Sequence, residues 1–209
     1  MPELPPTICI VDDDASVRRS LQRLLVVNGF RVAAFADAQS YLGKCAGAPC
    51  SCLILDVRMP GIDGLELQAR LDETAQRVPI VFLTGHGDIP MSVRAVKAGA
   101  ADFLAKPVDE AILLAAVNDA VQLYRQRHCE AEGTEAIRRR IASLTPRERE
   151  VMRCVITGAA NKRIAGDLGI AEKTVKIHRS RVMKKLEVNS AAALLLACQQ
   201  AGVEPATDP

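Results

Sequence analysis

The chain has 209 residues and a net charge of +2 at pH 7, and 49% of its residues are hydrophobic. This length fits one or two domains, and the high apolar content excludes a wholly disordered protein. No apolar run reaches the roughly 18 residues that cross a bilayer, so we expect no membrane span. The sequence does not begin with a basic segment followed by an apolar run, so we expect no signal peptide and predict a cytoplasmic protein.

Charge is distributed unevenly along the chain. Residues 1–124 contain 11 Lys and Arg against 15 Asp and Glu, whereas residues 139–209 contain 13 against 7. An acidic first half and a basic second half indicate two domains with different partners. The basic charge alone is weak evidence for binding to nucleic acid.

In the first half, short apolar runs alternate with helical patterns. Strands are predicted at 8–11, 31–35, 52–55, 79–83 and 102–105. Helices are predicted to begin near Val17, Asp37, Gly64, Pro90 and Asp109, with the last one ending near Tyr124. Continuous apolar strands separated by helices predict a parallel sheet that is covered on both faces. Five such repeats predict an α/β flavodoxin-like domain.

In the second half, only helical patterns follow a polar, charge-rich stretch. The sequence Thr-Pro-Arg-Glu at 145–148 is a capping box with proline at the first helical position. Asn161 is expected to cap a short helix that ends at Leu168, and residues 172–186 are expected to form a longer helix. Asn189 or Ser190 would cap the last helix. The pattern predicts an all-α domain of four helices.

Four predicted strands end in residue types that carry chemistry: Asp12 and Asp13, Asp56, Thr84, and Lys106. The carboxyl ends of parallel strands meet at one edge of the sheet. Carboxylates crowded there repel one another, and Mg²⁺ prefers such oxygen ligands. An aspartate is also a nucleophile toward phosphoryl groups. Each residue alone also fits a cap or a solvated side chain, but together they predict a phosphoacceptor, Asp56, with Mg²⁺, Lys106 and Thr84 beside it.

Several motifs surround these residues: Val11-Asp12-Asp13, Leu55-Asp56, Met59-Pro60-Gly61, Asp63-Gly64, Thr84-Gly85, Ala98-Gly99-Ala100, and Phe103 before Lys106-Pro107. Together they resemble the receiver domain of bacterial response regulators. The resemblance implies that a sensor histidine kinase donates a phosphoryl group to Asp56. It also implies Mg²⁺ held by Asp13, Asp56 and the backbone carbonyl of Arg58, with Asp12 helping through water.

The same resemblance implies a switch pair, Thr84 and Phe103. The Thr84 hydroxyl would move to the phosphoryl group, and Phe103 would turn inward behind it. The face built from the fourth and fifth helices would then change and form a homodimer. Phe103 stands where many receivers have tyrosine, so any effect that needs the tyrosine hydroxyl is absent. A cis peptide bond before Pro107 is also implied.

Three segments of the second half resemble the four-helix DNA-binding domain of LuxR-type regulators: 144–151, 161–165 and 174–178. The whole chain therefore resembles the NarL/FixJ family, and the sequence Thr-Gly-His-Gly-Asp-Ile-Pro at 84–90 resembles its FixJ branch. We predict a receiver domain at 7–124, a linker at 125–138 that is either helical or flexible, and a helix-turn-helix domain at 139–204.

The helix at 172–186 would be the recognition helix, which enters the major groove of promoter DNA. Lys173, Thr174 and Lys176 near its beginning are candidate base readers. Lys162, His178 and Arg179 are candidate phosphate or nearby contacts. Ala171 stands where the family often has a serine cap, so this helix lacks one interaction. A solvated basic helix in a protein-interaction bundle is the alternative.

The expected function is transcription regulation, with activation favoured by family analogy and RNA polymerase as a further partner. We weigh three alternatives. An aspartyl phosphohydrolase needs a second aspartate two residues after the nucleophile, where this chain has Arg58, so we predict that the protein is not an enzyme. A phosphorylation-independent DNA-binding protein with a silent receiver and a pure protein adaptor are the others.

Overall fold

The computed structural model describes residues 5–44, 50–73, 78–85 and 89–203. These residues form two compact units, with the boundary between Arg127 and His128. Each unit has its own hydrophobic core. Within the described ranges, no helix combines the length and apolar character that a bilayer crossing requires.

The first unit contains a five-stranded parallel sheet with the order β2-β1-β3-β4-β5. The strands are β1 (Thr7–Val11), β2 (Arg31–Phe35), β3 (Cys52–Leu55), β4 (Ile80–Thr84) and β5 (Asp102–Ala105). All five lie within one residue of their predicted bounds. The strand order reverses direction between β1 and β3, and ligands bind at such a point, at the carboxyl ends of the strands. The prediction of a flavodoxin-like domain is confirmed.

Helices cover both faces of this sheet: α1 (Ala15–Val27), α2 (Ala38–Lys44), α3 (Gly64–Asp72), α4 (Ile89–Lys97) and the first part of α5 (Glu110–Ala142). The strand side chains divide between two cores. Leu53, Leu55 and Phe82 lie in one core, and Ile8 and Ile10 lie in the other. Burial on both faces explains why the strands are continuous apolar runs.

The prediction for α5 was wrong at its end. This helix continues past Tyr124 to Ala142, so the segment 125–138 is helical throughout. Its polar composition suggested a helix end, but the segment contains no proline and a single glycine, Gly133. One glycine inside a helix costs about 1 kcal/mol and does not interrupt it.

The second unit consists of the end of α5 followed by α6 (Pro146–Ile156), α7 (Asn161–Leu168), α8 (Glu172–Leu186) and α9 (Ala191–Gln200). The apolar faces of these helices enclose one core, which includes Val151, Met152, Ile164, Val175, Val182, Leu186 and Leu194. Four helices thus follow α5, as the sequence predicts.

The helix caps of this unit agree with the sequence at two positions and differ at one. The capping box is confirmed, because Glu148 N donates to Thr145 Oγ1 (3.3 Å) and Thr145 N donates to Glu148 Oε2 (2.9 Å). Ser190 caps α9. Asn161 is not the cap of α7: it is the first helical residue, and the N-cap position belongs to Ala160. The Asn161 side chain instead accepts a hydrogen bond from α8.

Candidate acidic pocket and candidate nucleic-acid interface

The carboxyl edge of the sheet brings together the polar residues that follow its strands. Asp12 follows β1 and Asp56 follows β3, and both are buried, with 2% and 8% of their surface exposed. Thr84 ends β4 and is 1% exposed. Asp13 lies beside them and is exposed. Aspartates, a hydroxyl and a lysine therefore occupy one edge, as the strand ends predict.

Lys106 joins the two buried aspartates. Its Nζ lies 2.6 Å from Asp12 Oδ2 and 2.8 Å from Asp56 Oδ2. Burial alone would lower the pKa of the Lys106 ammonium, but its hydrogen bonds and its attraction to both carboxylates outweigh burial and raise the pKa. The lysine therefore carries a positive charge that two carboxylates share.

The negative charge of the pocket exceeds this positive charge. Carboxylate oxygens of Asp12, Asp13 and Asp56 lie within 4.8 Å of one another. Three carboxylates around one ammonium leave an excess of negative charge, which a divalent cation would neutralise. Every donor in this set is an oxygen, and oxygen donors suit Mg²⁺. The residues of the pocket therefore fit this metal.

Backbone groups orient the buried carboxylates. Asp12 Oδ1 accepts a hydrogen bond from Asp14 N (2.9 Å), and Asp56 Oδ1 accepts one from Arg58 N (3.3 Å). The side chain of Arg58 is exposed in the loop after β3. Asp14 also caps α1, since its side chain accepts from Ser16 N and Val17 N. The acidic run that follows β1 thus supplies both pocket carboxylates and a helix cap.

Gly64 fixes the loop that carries Asp56. A Cβ atom added at Gly64 would lie 2.3 Å from the Asp56 backbone oxygen and 2.9 Å from Val57 Cα. Real Cβ atoms do not approach backbone this closely, so only glycine allows α3 to begin against this loop. In the sequence, Gly64 stood out only as part of the receiver resemblance, because single-chain patterns do not reveal a close backbone approach.

The other predicted switch residue, Phe103, lies on β5. Its ring is half-buried, and its centroid is 5.9 Å from that of Phe82 with an interplanar angle of 41°. Lys106 N donates to Thr84 O (2.7 Å), which holds the ends of β4 and β5 together. The predicted cis peptide bond between Lys106 and Pro107 is present. The residues 86–88 of the motif at 84–90 lie outside the described residues.

In the second unit, α8 has one buried and one outward face. Val175, Val182 and Leu186 are buried in the core, as their spacing predicts. The outward face carries exposed side chains, most of them basic: Lys173, Lys176, Ile177, Ser180, Arg181 and Lys184. An exposed helix face of this charge and size fits the major groove.

The predicted DNA contacts fall into two groups. Lys162, Lys173 and Lys176 are exposed. Lys176 Nζ lies 3.4 Å from Glu172 Oε1 in an exposed ion pair. Thr174, His178 and Arg179 are half-buried, at the border of the outward face.

The side chains of Arg179 and His178 extend toward the interior of the unit. Arg179 donates to Asn161 Oδ1 (3.1 Å), which connects α8 to α7. His178 Nδ1 is buried without a hydrogen-bond partner among the described residues. Both side chains therefore face the body of the unit more than Lys173 does.

Sequence reasoning missed Ile177 and Ser180 on the outward face of α8. Ile177 is 45% exposed and lies among the basic side chains of this face. Both residues follow Lys173 at helical spacing, four and seven positions later. That spacing could have identified them, but the prediction considered only polar side chains near the N-terminal end of the helix and basic side chains beyond it.

A buried ion pair holds α8 against α6. Glu148 is 2% exposed, and its Oε2 accepts a hydrogen bond from Lys185 Nζ (2.6 Å). Lys185 Nζ also donates to the backbone oxygen of Ser143 (3.2 Å). The bond from Lys185 and the bond from Thr145 N lower the pKa of the Glu148 carboxyl to about 2. This pair joins a buried carboxylate to a partly exposed lysine and connects α8 to the beginning of α6.

The chain matches two family models in chain order. Residues 8–118 match the response regulator receiver domain, and residues 142–197 match the bacterial regulatory proteins of the luxR family. The chain belongs to the NarL/FixJ family of response regulators. The receiver match spans the acidic pocket, and the second match spans α6, α7 and α8.

Relatives of this response regulator match it over nearly its whole length. The transcriptional regulatory protein FixJ of Azorhizobium caulinodans is 42% identical over 100% of this chain and 98% of its own length. Nodulation protein W of Bradyrhizobium diazoefficiens is 46% identical over 94% of this chain and 86% of its own length. These matches confirm the likeness to the FixJ branch.

Solved structures give the same result. The response regulator StyR has a TM-score of 0.80 and 46% identity, and the match covers 94% of this chain and 99% of StyR. Full-length FixJ from B. japonicum has a TM-score of 0.59 and 40% identity, covering 96% of this chain and 98% of FixJ. The receiver and the LuxR-type domain together make this chain a regulator of transcription that phosphorylation controls.

Proposed function

We propose that a sensor histidine kinase phosphorylates Asp56 and that this modification controls promoter binding through α8. One observation supports the proposal most strongly: carboxylate oxygens of Asp12, Asp13 and Asp56 lie within 4.8 Å of one another at the carboxyl edge of the sheet, and Lys106 pairs with Asp12 and Asp56. This arrangement has a nucleophile, a positive charge and a metal-fitting set of oxygens within one pocket.

In the reaction, an Asp56 carboxylate oxygen attacks the phosphorus of the donor. The bond between phosphorus and the donor histidine nitrogen breaks, the nitrogen keeps the electron pair, and an acyl phosphate forms on Asp56. Lys106, already 2.8 Å from Asp56 Oδ2, stabilises the negative charge of the transferred oxygens. Asp13, Asp56, the Arg58 carbonyl and, through water, Asp12 would hold Mg²⁺, which supplies further charge stabilisation.

The acyl phosphate changes the charge beside Thr84. We infer that the Thr84 hydroxyl donates to the new phosphoryl oxygens and that Phe103 fills the space behind it. Thr84 ends β4, and Phe103 lies on the neighbouring strand β5, two residues before the partner of Thr84. A local charge change thereby alters the surface of α4 and α5 and promotes a homodimer, in which two copies of α8 read two half-sites.

At the DNA, the outward face of α8 enters the major groove. Lys173, Thr174 and Lys176 read base edges, and the exposed Ile177 contacts a thymine methyl group or another apolar base surface. Lys162, His178 and Arg179 contact phosphates or support those contacts. We further propose that the bound dimer recruits RNA polymerase and activates transcription in the cytoplasm. The receiver at 7–124 would control the DNA-binding domain at 139–204 through the helical linker at 125–138.

Intact mass spectrometry tests the phosphorylation step. The full chain is incubated with acetyl phosphate, with and without Mg²⁺, in parallel with Asp56→Asn and the exposed control Asp72→Asn. We expect one phosphoryl adduct on wild type and on the control, and none on Asp56→Asn or without Mg²⁺. An adduct that persists on Asp56→Asn, or a wild type that stays unmodified, would contradict the assignment.

The same incubation tests whether the protein acts as a switch or as an enzyme. We expect stoichiometric labelling without continued hydrolysis of a small phosphate ester, because the position two residues after Asp56 is occupied by Arg58. Release of inorganic phosphate over many turnovers would support the phosphohydrolase alternative.

A further inference from the structure

A buried amide on α3 holds the end of α4. Gln68 is 2% exposed, and its Nε2 donates to the backbone oxygens of Ala98 (3.0 Å) and Ala95 (3.3 Å). Both oxygens belong to the C-terminal end of α4, where the last carbonyls of a helix lack partners within the helix. The Gln68 side chain therefore acts as a C-cap supplied by a neighbouring helix.

The backbone at this helix end is already tightly organised. Gly99 has a φ of +89°, Gly99 N donates to Val96 O (2.9 Å), and Ala100 N donates to Ala95 O (3.1 Å). This is the Schellman arrangement, which closes the last turn of a helix. Gln68 adds a connection from that closed turn to α3, because Ala95 O accepts from both Ala100 N and Gln68 Nε2.

Few side chains in the described part of α4 are fully buried. Within 91–97, the part of α4 whose side chains are described, Ala95 alone is fully buried. Val93 and Val96 are 44% and 54% exposed. An alanine buries little apolar surface, so the two hydrogen bonds from Gln68 add a specific polar attachment at this end of α4, while Met91 packs against the core nearer its beginning.

Part of α4 also borders a cavity. A cavity of about 770 Å³ lies between α3 and α4 and is lined by side chains that include Leu65, Met91 and Arg94. It extends to Val57, the residue directly after Asp56. One end of α4 is thus fixed to α3, whereas its preceding turns border a space that leads to the acidic pocket.

We propose that Gln68 is a positioning residue that fixes the C-terminal end of α4, so that phosphorylation of Asp56 moves the N-terminal half of α4 about this end. The inference rests on the proposed phosphorylation of Asp56. Thr84, at the pocket, precedes α4 in the chain, so a displacement at Thr84 reaches the N-terminal turn of α4 first. The fixed end converts that displacement into a tilt of the helix.

Hydrogen–deuterium exchange of the full chain, with acetyl phosphate and Mg²⁺ or without them, tests the proposal. Gln68→Met keeps the approximate shape of the side chain and removes its donors. The matched control is Leu67→Met, a substitution of similar volume at the adjacent buried position of the same helix. Peptides that cover 89–93 and 94–100 report the two ends of α4 separately.

In wild type, we expect phosphorylation to change exchange in 89–93 and to leave 94–100 protected. In Gln68→Met, we expect exchange in 94–100 to accelerate by about tenfold in either state, the effect of two lost hydrogen bonds on local opening. The phosphorylation-linked change in 89–93 should fall by at least half, while the Asp56 adduct forms at the wild-type rate. The control should match wild type in all of these.

Three results would overturn the inference. In the first, Gln68→Met keeps wild-type protection from exchange in 94–100. In the second, Gln68→Met keeps the full phosphorylation-linked change of exchange in 89–93. In the third, the wild-type adduct forms without any change of exchange in 89–93. A purely structural role would accelerate exchange and leave the linked change intact, which is the second of these results. A wild type that forms no adduct would instead refute the proposed function, and the 94–100 comparison would still test the cap.

Discussion

The two units of this response regulator bury carboxylates in opposite ways. In the receiver, Asp12 and Asp56 share the ammonium of Lys106, with Asp13 beside them. In the LuxR-type unit, Glu148 forms a one-to-one ion pair with Lys185 and also accepts a hydrogen bond from the backbone of Thr145. The first site has more negative charge than its partners neutralise, whereas the second is balanced.

The acidic pocket of the receiver fits a ligand-binding site, whereas the Glu148–Lys185 pair stabilises the fold of the second unit. A balanced buried pair gains nothing from a further cation, and breaking it leaves a charge without its partner. An unbalanced cluster is under electrostatic strain, which a metal ion or covalent modification relieves. In the second unit, the residues proposed to contact DNA lie apart from this pair, most of them on α8.

In the receiver, we expect Gly64→Ala to reduce stability and phosphorylation more than any other substitution considered. The added methyl group would meet the Asp56 backbone oxygen at 2.3 Å. The loop or α3 must then shift, which we expect to lower the free energy of unfolding by about 3 kcal/mol and to slow Asp56 phosphorylation strongly. Chemical denaturation and intact mass measure the two effects.

The control for Gly64→Ala is Gly43→Ala on α2, where an added Cβ meets nothing within 4 Å. We expect this change to be neutral or to stabilise the protein by up to about 1 kcal/mol, because alanine favours helix. If Gly64→Ala left both stability and phosphorylation at wild-type levels, the close packing of α3 against the Asp56 loop would be refuted.

The balanced pair is broken by Glu148→Gln. Glutamine keeps an acceptor for Thr145 N but loses the charge that pairs with Lys185, so we expect a loss of about 2 kcal/mol at pH 7. The pKa of Glu148 is lowered to about 2 in the folded protein. Its contribution is therefore complete above the unfolded pKa, about 4.5, and is lost as pH falls toward 2.

Thermal melts followed by circular dichroism at pH 7 and pH 3 measure this dependence. The difference between wild type and Glu148→Gln should be large at pH 7 and smaller at pH 3. Glu150→Gln on the same helix is the control, because its pair with Arg147 is half-exposed and should contribute less than about 0.5 kcal/mol. A Glu148→Gln difference that is constant with pH would contradict the charged pair.

Glu148→Gln should destabilise the protein, whereas Asp13→Asn should stabilise it, because the acidic pocket holds more negative charge than its partners neutralise. Removing one of three crowded carboxylates should stabilise the metal-free protein by about 0.5–1 kcal/mol. The same change should weaken the rise in melting temperature that Mg²⁺ gives wild type. Asp72→Asn should alter neither value, and a destabilised Asp13→Asn protein without metal would contradict the strain.

The smallest effect concerns the start of α8. Its N-cap residue, Ala171, makes no side-chain cap hydrogen bond. Ala171→Ser should raise the unfolding free energy by about 0.5–1 kcal/mol, because serine accepts from a free amide of the first turn. Ala192→Ser, at an exposed position inside α9, should be neutral or slightly destabilising. Equal shifts for both serines would refute the cap.

The receiver could be predicted from sequence because its signals are local. Each strand is a short apolar run that ends abruptly in polar residues, and the parallel sheet brings those ends together. The pocket residues Asp12, Asp56 and Lys106 follow directly from that geometry. Gln68 could not be predicted in this way, because its partners are carbonyls 27 and 30 residues away.

The second unit shows where local signals mislead. Asn161 has the composition of a cap but bonds to Arg179, a contact that the chain pattern does not reveal. Polar composition suggested that α5 ends near Tyr124, although nothing in 125–142 breaks a helix. Ile177 was missed because the predicted DNA contacts were chosen among polar side chains, whereas position on the helix decides which side chains are exposed.

DNA selection with and without the phosphoryl group tests whether phosphorylation of Asp56 controls promoter binding. The full chain and Asp56→Asn, each treated with acetyl phosphate and Mg²⁺, are incubated with randomised duplex DNA at a fixed salt concentration, and the bound duplexes are sequenced and their affinities measured. We predict a two-half-site sequence that phosphorylated wild type enriches and binds at least about tenfold more tightly than Asp56→Asn does. The same sequence selected by both proteins with equal affinity would contradict control by Asp56.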